Sequence, residues 1–378
     1  MRLLICAGGT GGGVYPALTI LQALKMRAKQ QAAELSTLWV GGIGGMEADL
    51  VSRAGVPFKA IPAAGVHGVN LMTLPGNLWH LFRGYFASLE ILRSFKPDVM
   101  LFTGGYVAVP MALAGQGFLG KKIRSVLYVP DIEPGLALQT LARFADRIVV
   151  TVKDSQRYFT RLERVKVAGY PVRNDLFQME AAEAFRMFNL ETGMPVLLVL
   201  GGSTGARSIN YALLKTLPEL LQITQIIHIT GQRDWEEMEA TTKSLDLAGN
   251  GHRYHAYPYL YDEIGAALCV ADLVVSRSGA STLGEYPVFG LPAILVPYPY
   301  AWRYQQVNAE FLANHGAAVI LPDATLNHEL VYVIKDLLNN PAKLRQMRSA
   351  MQKLAHPEAA DQIAELIEGL VTHDGSER

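Results

Sequence analysis

Strand-length apolar runs alternate with helix-length amphipathic stretches along the whole chain. Leu3–Ala7, Thr37–Val40, Val99–Phe102, Ser125–Val129 and Arg147–Thr151 lie in the first half, and Val196–Leu200, Gln225–Thr230, Leu273–Val275 and Ala293–Val296 in the second. Short apolar runs without polar alternation are buried on both faces, and with helices between them they predict parallel sheets with right-handed crossovers. The opening also repeats. "LLICAGGTGG" (3–12) is echoed by "LLVLGGSTGA" (197–206), each a buried strand running through a glycine turn into a helix. The pattern predicts an α/β fold of two tandem Rossmann-like domains whose parallel sheets face a central cleft. The expected division is 1–170, 171–350 and a C-terminal helical segment 351–378, with the first boundary near "VAGYPVRNDL" (167–176). Which domain hosts the last helix is left open by the pattern.

Length agrees with two domains, because 378 residues, half of them apolar, exceed the roughly 250–300 residues at which single cores stop growing. Lys and Arg total 34, as do Asp and Glu, so the totals offer no basic surface for nucleic acid. Cys6 and Cys269 lie in apolar runs and read as small buried hydrophobes, which fits a reducing compartment. No apolar run approaches the ~20 residues that span a bilayer. A glycine turn stands where a signal peptide would have its cleavage site. A cytoplasmic protein, free to touch a membrane surface, is expected.

Ligands of such sheets sit beyond the carboxyl ends of the strands, so the turns carry the candidate chemistry. Gly8-Gly9-Thr10-Gly11-Gly12-Gly13 can bring backbone N–H groups at a helix start toward an anion, or can simply make a tight turn. It fits the dinucleotide pattern G-x-G-x-x-G in no register, because Thr10, Val14 and Pro16 fall where glycine is required. Gly201–Ala206 adds a hydroxyl to the same cradle and lacks the lysine of a P-loop. Arg173 reads as a phosphate partner or a surface ion pair. Downstream, the donor-rich turn Ser276–Thr282 leads to Glu285, whose carboxylate can accept two ribose hydroxyls. Gln305 and Gln306 follow, and a carboxamide suits sugar hydroxyls because it both donates and accepts. Two phosphate-type turns, a ribose-type acid and sugar-type amides together point to a nucleotide sugar.

With these residues in place, the chain resembles the MurG-type glycosyltransferases of family 28, which have the GT-B fold. The likeness covers nearly the whole chain and rests on an ordered series. It comprises "GGTGG" (8–12) with "PAL" (16–18), "MEADL" (46–50), "KPDV" (96–99), "GGYV" (104–107), and "GL" with "LARFADR" (135–147). It continues with "GYPVR" (169–173), "GGSTGAR" (201–207), "SRSGASTLGE" (276–285), "LPAILVPYPY" (291–300) and "QQVNA" (305–309). The resemblance implies transfer of N-acetylglucosamine from UDP-N-acetylglucosamine to lipid I, an undecaprenyl-diphospho-muramoyl-pentapeptide. The product is lipid II for peptidoglycan, formed with inversion at the anomeric carbon and without metal or cofactor. Arg173 and Ser203 would meet the diphosphate with Ala280, Ser281 and Thr282 against it. Glu285 would bind the ribose, Tyr261 the uracil through its backbone, and Gln305 the sugar. Thr10 would reach the sugar or the acceptor. Gly11, Gly12, Asp131, Arg277, Leu283 and Gly284 complete the expected donor contacts. Gly104, Gly105 and Tyr106, with Gly9 and Gly13, would line the acceptor site.

Two departures stand out. Gly13 replaces the histidine of the family's "GGTGGH", and Tyr128-Val129-Pro130-Asp131 replaces its "HEQN". Asp131 therefore becomes the expected base, with Glu133 second; Asp131 also reads as the N-cap of a helix starting near Glu133-Pro134. A different glycolipid acceptor, or UDP-sugar binding without transfer, are the alternatives these departures leave open. Trp79, Phe82 and Phe86 in "NLWHLFRGYF", with Phe118, Leu119, Lys121 and Lys122 in "GFLGKKIR", suit an anionic membrane surface. A helix packed on the first sheet beside a solvated basic loop is the other reading. With the resemblance, the first reading implies a peripheral protein of the cytoplasmic membrane face in a bacterium.

Overall fold

A computed structural model describes residues 1–8, 11–45, 47–64, 74–117, 122–202, 205–300 and 304–372. The chain divides into two compact units, Met1–Val172 with Pro357–Arg378, and Arg173–His356. Among the described residues no helix is long and apolar enough to cross a membrane.

The first unit is built on seven strands, β1 (Arg2–Ala7), β2 (Ser36–Gly42), β3 (Phe58–Ile61), β4 (Val99–Gly104), β5 (Arg124–Val129), β6 (Arg147–Val150) and β7 (Val165–Val167). They lie in the order β3-β2-β1-β4-β5-β6-β7, every neighbouring pair parallel. Helices α1 (Gly11–Gln30), α2 (Glu47–Arg53), α3 (Leu74–Phe95), α4 (Ala108–Gly115) and α5 (Leu136–Ala142) connect them. Both faces of the sheet are covered. Leu4 and Cys6 of β1 pack with Leu89 and Met111 on one side, while Leu3 and Ile5 pack with Ile20 and Leu24 on the other. Successive strand residues point to opposite faces, so burial of both faces makes the strand read as an unbroken apolar run. The C-terminal helix (Ala359–Thr372) belongs to this unit; its Ile363 and Ile367 join the α1 side of the core, and Arg27 pairs with Glu368 at 2.8 Å.

The second unit has six parallel strands, β8 (Val196–Leu200), β9 (Gln225–Ile229), β10 (Tyr254–Tyr257), β11 (Leu273–Ser276), β12 (Ala293–Leu295) and β13 (Ala318–Ile320), in the order β10-β9-β8-β11-β12-β13. Its helices are α6 (Ala181–Met187), α7 (Arg207–Leu220), α8 (Trp235–Ser244), α9 (Ile264–Val270), α10 (Glu285–Phe289), α11 (Tyr304–Asn314), α12 (Leu326–Leu338) and α13 (Pro341–Gln352). The periodicity did not announce β3, β10 and β13. Each has only three or four residues and a partly exposed face, so its apolar signal is short and broken.

In each unit the strand order reverses beside the first strand, between β1 and β4 and between β8 and β11. At such a switch point neighbouring loops leave in opposite directions and open a crevice. In the first unit that geometry requires glycine. Gly104 and Gly105 have φ of +132° and +85°, and a Cβ on Gly105 would stand 2.7 Å from the Gly8 carbonyl oxygen. The pairing of β1 with β4 also slips here, Ala7 lying opposite Gly104. Gly105→Ala is therefore expected to destabilise the protein by about 1–3 kcal/mol, read as a lower thermal midpoint. Gly76→Ala, whose added Cβ meets nothing within 4 Å, should leave the midpoint unchanged or slightly raised. Equal effects from the two substitutions would refute the close approach.

Candidate functional site

In the first unit Gly11, Gly12 and Gly13 occupy the first turn of α1. Gly9 and Thr10 lie outside the described residues. Gly13 is buried, and its carbonyl accepts a 2.7 Å hydrogen bond from Thr103 Oγ1 at the end of β4. A Cβ there would sit 3.3 Å from the Thr103 carbonyl oxygen, so the start of α1 is seated closely on β4. Gly104 ends β4, and Gly105 and the exposed Tyr106 follow it on the same side of the switch point.

Beyond β5, Asp131 and Glu133 are partly exposed within a bend. The expected cap is corrected here. Helix α5 starts at Leu136, and its N-cap is Gly135 in an extended conformation (φ −64°, ψ 160°), so the chain is not helical at Glu133-Pro134 and Asp131 is not the cap of this helix. Tyr128 is fully buried, its hydroxyl 3.0 Å from Thr151 Oγ1 and 3.3 Å from the Gly169 carbonyl oxygen. The Thr151 hydroxyl donates to the Pro130 carbonyl at 2.8 Å, which ties the segment leading to Asp131 onto the end of β6. Burial pushes the Tyr128 phenol far up, so it stays protonated and supplies no base. The Tyr158 hydroxyl donates to Glu133 Oε2 at 3.5 Å and itself accepts from Arg157 Nη2 at 3.1 Å.

On α3 Trp79, Phe82 and Phe86 have 59%, 54% and 51% of their surface exposed. Their rings contact in series, 5.6 Å and 4.9 Å between centroids. The second half buries Ser88, Leu89, Ile91 and Leu92. One helix thus satisfies core packing and leaves an aromatic stripe outside. Lys122 is paired with Asp146 at 2.7 Å, while Phe118, Leu119 and Lys121 lie outside the described residues.

In the second unit, the turn after β8 is shaped by Gly201, Gly202 (φ +82°) and Gly205 (φ +78°). A Cβ on Gly201 would overlap Ala206, and one on Gly205 would overlap the Thr230 carbonyl. The backbone therefore turns tightly into α7. Ser203 and its neighbour Thr204 lie outside the described residues.

Across the switch point, β11 leads into Ser278 and the tight turn Ala280–Leu283, followed by Gly284 and then Glu285 as the first residue of α10. This segment is held by α11. The Ser278 hydroxyl donates to the Gln305 carbonyl at 2.7 Å, and Asn308 Nδ2 donates to the Ser278 carbonyl at 3.1 Å. The Gln305 side chain accepts from the Tyr298 N–H at 2.9 Å, fixing its carboxamide beside the loop after β12. Arg277 is occupied: it donates to Asp323 Oδ1 at 2.6 Å, the Ser208 hydroxyl at 2.8 Å and the Val296 carbonyl at 3.1 Å. It binds the loops together rather than presenting its charge outward.

Glu285 and Arg173 interact in the same unit. Burial pushes the Glu285 carboxyl up to about 7, opposed by the Arg173 guanidinium and a hydrogen bond with Ser281, and reinforced by the negative charge of Asp175. Arg173 also pairs with Asp175 at 3.5 Å. Cation, acid and hydroxyl thus form one cluster beyond β11. Tyr261, beyond β10, is exposed; its N–H donates to Glu263 at 3.1 Å and its ring meets Tyr259 edge-on at 4.6 Å. The anchoring partners Thr151, Ser208 and Asp323 carried no sequence signal, because each meets its partner only through the fold.

Comparison with known proteins identifies the family. Residues 3–150 match the glycosyltransferase family 28 N-terminal domain and residues 196–363 its C-terminal domain. The transferase of Desulforamulus reducens named UDP-N-acetylglucosamine--N-acetylmuramyl-(pentapeptide) pyrophosphoryl-undecaprenol N-acetylglucosamine transferase is 40% identical, over 98% of this chain and 99% of that protein. A Roseiflexus protein of the same name is 40% identical over 98% of this chain and 95% of its own length. The crystal structure of MurG from Acinetobacter baumannii superposes with a TM-score of 0.72 at 25% identity, covering 97% of this chain and 99% of that one. On the strength of this full-length likeness and the two-unit parallel α/β architecture, the chain belongs to glycosyltransferase family 28.

Proposed function

We propose that this protein transfers N-acetylglucosamine from UDP-N-acetylglucosamine to lipid I, the undecaprenyl-diphospho-muramoyl-pentapeptide, and so forms lipid II for peptidoglycan. The full-length 40% identity to transferases named for that reaction carries the proposal. The donor is assigned to the second unit. There the turn after β8 offers backbone N–H groups at the start of a 14-residue helix, Arg173 offers a cation to the diphosphate, and Glu285 offers a carboxylate to the ribose. Ser203 completes the diphosphate contacts, the Ala280–Thr282 turn lies against them, and Gln305 holds the sugar. Tyr261 lies by the uracil. In the first unit the acceptor diphosphate meets the turn after β1 and the Gly104–Tyr106 segment.

Inverting transfer requires removal of the acceptor hydroxyl proton as that oxygen attacks the anomeric carbon, while the bond to UDP breaks and its diphosphate takes up charge. Arg173 and the helix N-terminus stabilise that charge. Asp131 takes the proton. It follows a strand end where Tyr128 is locked in the core, and Thr151 holds the carbonyl of the preceding Pro130. The exposed stripe Trp79, Phe82 and Phe86 seats the first unit on an anionic membrane surface, on the cytoplasmic side where the UDP-sugar is available.

Incubation of the full chain with radiolabelled UDP-N-acetylglucosamine and a lipid I analogue should yield labelled product; donor binding without transfer would sink the proposal. Asp131→Asn should reduce turnover by ~10²–10⁴-fold, and turnover within a few-fold of wild type would remove Asp131 as the base. The Glu285 carboxyl gives a pH test. Between its ordinary 4.5 and about 7 the unfolded chain has lost a proton that the folded unit still holds, so this group's contribution to stability falls as pH rises and levels off above that window. Glu285→Gln should flatten that part of the pH dependence of denaturant midpoints; an unchanged slope would contradict the burial. Finally, the wild type should sediment with anionic vesicles at low salt, and a Trp79→Ala, Phe82→Ala double variant should not. Equal sedimentation of both would rule out the stripe as the contact.

A further inference from the structure

Behind the donor-side turn lies a buried polar chain that the mechanism does not use. We propose that Asn210 is a positioning residue, holding the turn after β8 in the shape that receives the donor diphosphate. The inference rests on the assignment of that turn to the donor.

Asn210 lies in the first part of α7, is fully buried, and its N–H donates to the Ala206 carbonyl at 2.9 Å, so turn and helix move together. Its carboxamide Nδ2 donates to the Thr230 carbonyl at 2.9 Å and to Asp234 Oδ2 at 3.2 Å. The Thr230 carbonyl is the group on which Gly205 rests, too close for any Cβ. One amide therefore fixes the surface against which the turn is pressed. The carboxamide is itself oriented: its Oδ1 is 3.0 Å from His228 Nε2, and His228 Nδ1 is 2.7 Å from the Tyr254 hydroxyl. Burial pushes His228 down to about 3, so its ring is neutral and carries one proton. Asn210 Nδ2 faces two acceptors, so Oδ1 faces His228, whose Nε2 must carry the proton and donate to it, leaving Nδ1 to accept from the Tyr254 hydroxyl. The His228–Tyr254 pair then holds the carboxamide in that orientation. Tyr254 on β10, His228 on β9 and Asn210 on α7 thus form one directed chain ending at the glycine turn.

A residue holding the turn should affect the donor and spare the acceptor. In Asn210→Ala, KM for UDP-N-acetylglucosamine and Kd for UDP should rise about tenfold, with KM for a lipid I analogue within twofold and kcat within a few-fold. Tyr254→Phe removes only the far end of the chain and should show the same donor-selective rise, reduced to a few-fold. It serves as the test if Asn210→Ala does not fold. Unchanged donor KM in the variants, or parallel loss on donor and acceptor sides, overturns the inference. Hydrogen exchange of the wild type separates this failure from that of the donor assignment. If UDP fails to protect the amides of the turn, the assignment falls and the inference with it; if UDP protects them but the variants keep the wild-type donor KM, the inference alone falls.

Discussion

Both candidate sites depend on backbone approaching backbone where no side chain fits. Gly105 lies over the Gly8 carbonyl in the first unit, and Gly205 over the Thr230 carbonyl in the second. The cause is topological. In the first unit the order reverses beside β1 and brings the turn after it against the end of β4, while in the second the turn after β8 meets the end of its neighbour β9; in both, two chain ends must leave without colliding. Glycine removes the Cβ and tolerates the positive φ. Backbone N–H groups at a helix start can take the place of a side chain in meeting an anion, the role proposed for these turns. The same constraint reaches Glu47, a buried carboxylate that accepts the Gly42 N–H at 2.7 Å and leaves no room for a Cβ on Gly8.

This explains which parts of the molecule were legible in the sequence. Interior strands announce themselves because both faces are buried, and the two turns announce themselves because their geometry excludes all residues but one. Glu285 was legible for a related reason: an acid placed just past a turn of small residues has few roles. The edge strands were not, since half-exposed segments of three or four residues carry too little pattern. Nor was the role of Arg277. Its type and position suit a phosphate contact, and only the fold shows Ser208 and Asp323, 69 and 46 residues away along the chain, already holding it.

Asp131 and the C-terminal helix show a second kind of limit. An Asp three residues before Pro134 has the form of a helix start, and the local signal is correct in kind, but Gly135 in an extended conformation delays the helix to Leu136. Amphipathicity likewise shows that the last helix needs a partner without naming it. The choice is made by Ile363, Ile367 and the Glu368 pair to Arg27, 341 residues upstream. Local patterns specify what an element requires, while the supplier is a matter of topology.

The two departures from the family motif bear on each other through packing. At Gly13 the backbone is bonded to Thr103 and a Cβ would lie only 3.3 Å from the Thr103 carbonyl, so this turn is seated tightly on β4. At Tyr128 a large side chain fills the core and its hydroxyl is satisfied internally by Thr151 and Gly169. Neither position offers a titratable group to the acceptor. The bend after β5 follows, where Glu133 is engaged by the Tyr158 hydroxyl and Asp131 follows the stapled Pro130 carbonyl. With Asp131 as the proposed base, the proton acceptor would sit at a strand end rather than at a helix start, and the requirement of the chemistry would be preserved. A carboxylate on a fixed backbone can meet the incoming hydroxyl, provided the core behind it does not yield, and the buried Tyr128–Thr151 pair supplies that rigidity.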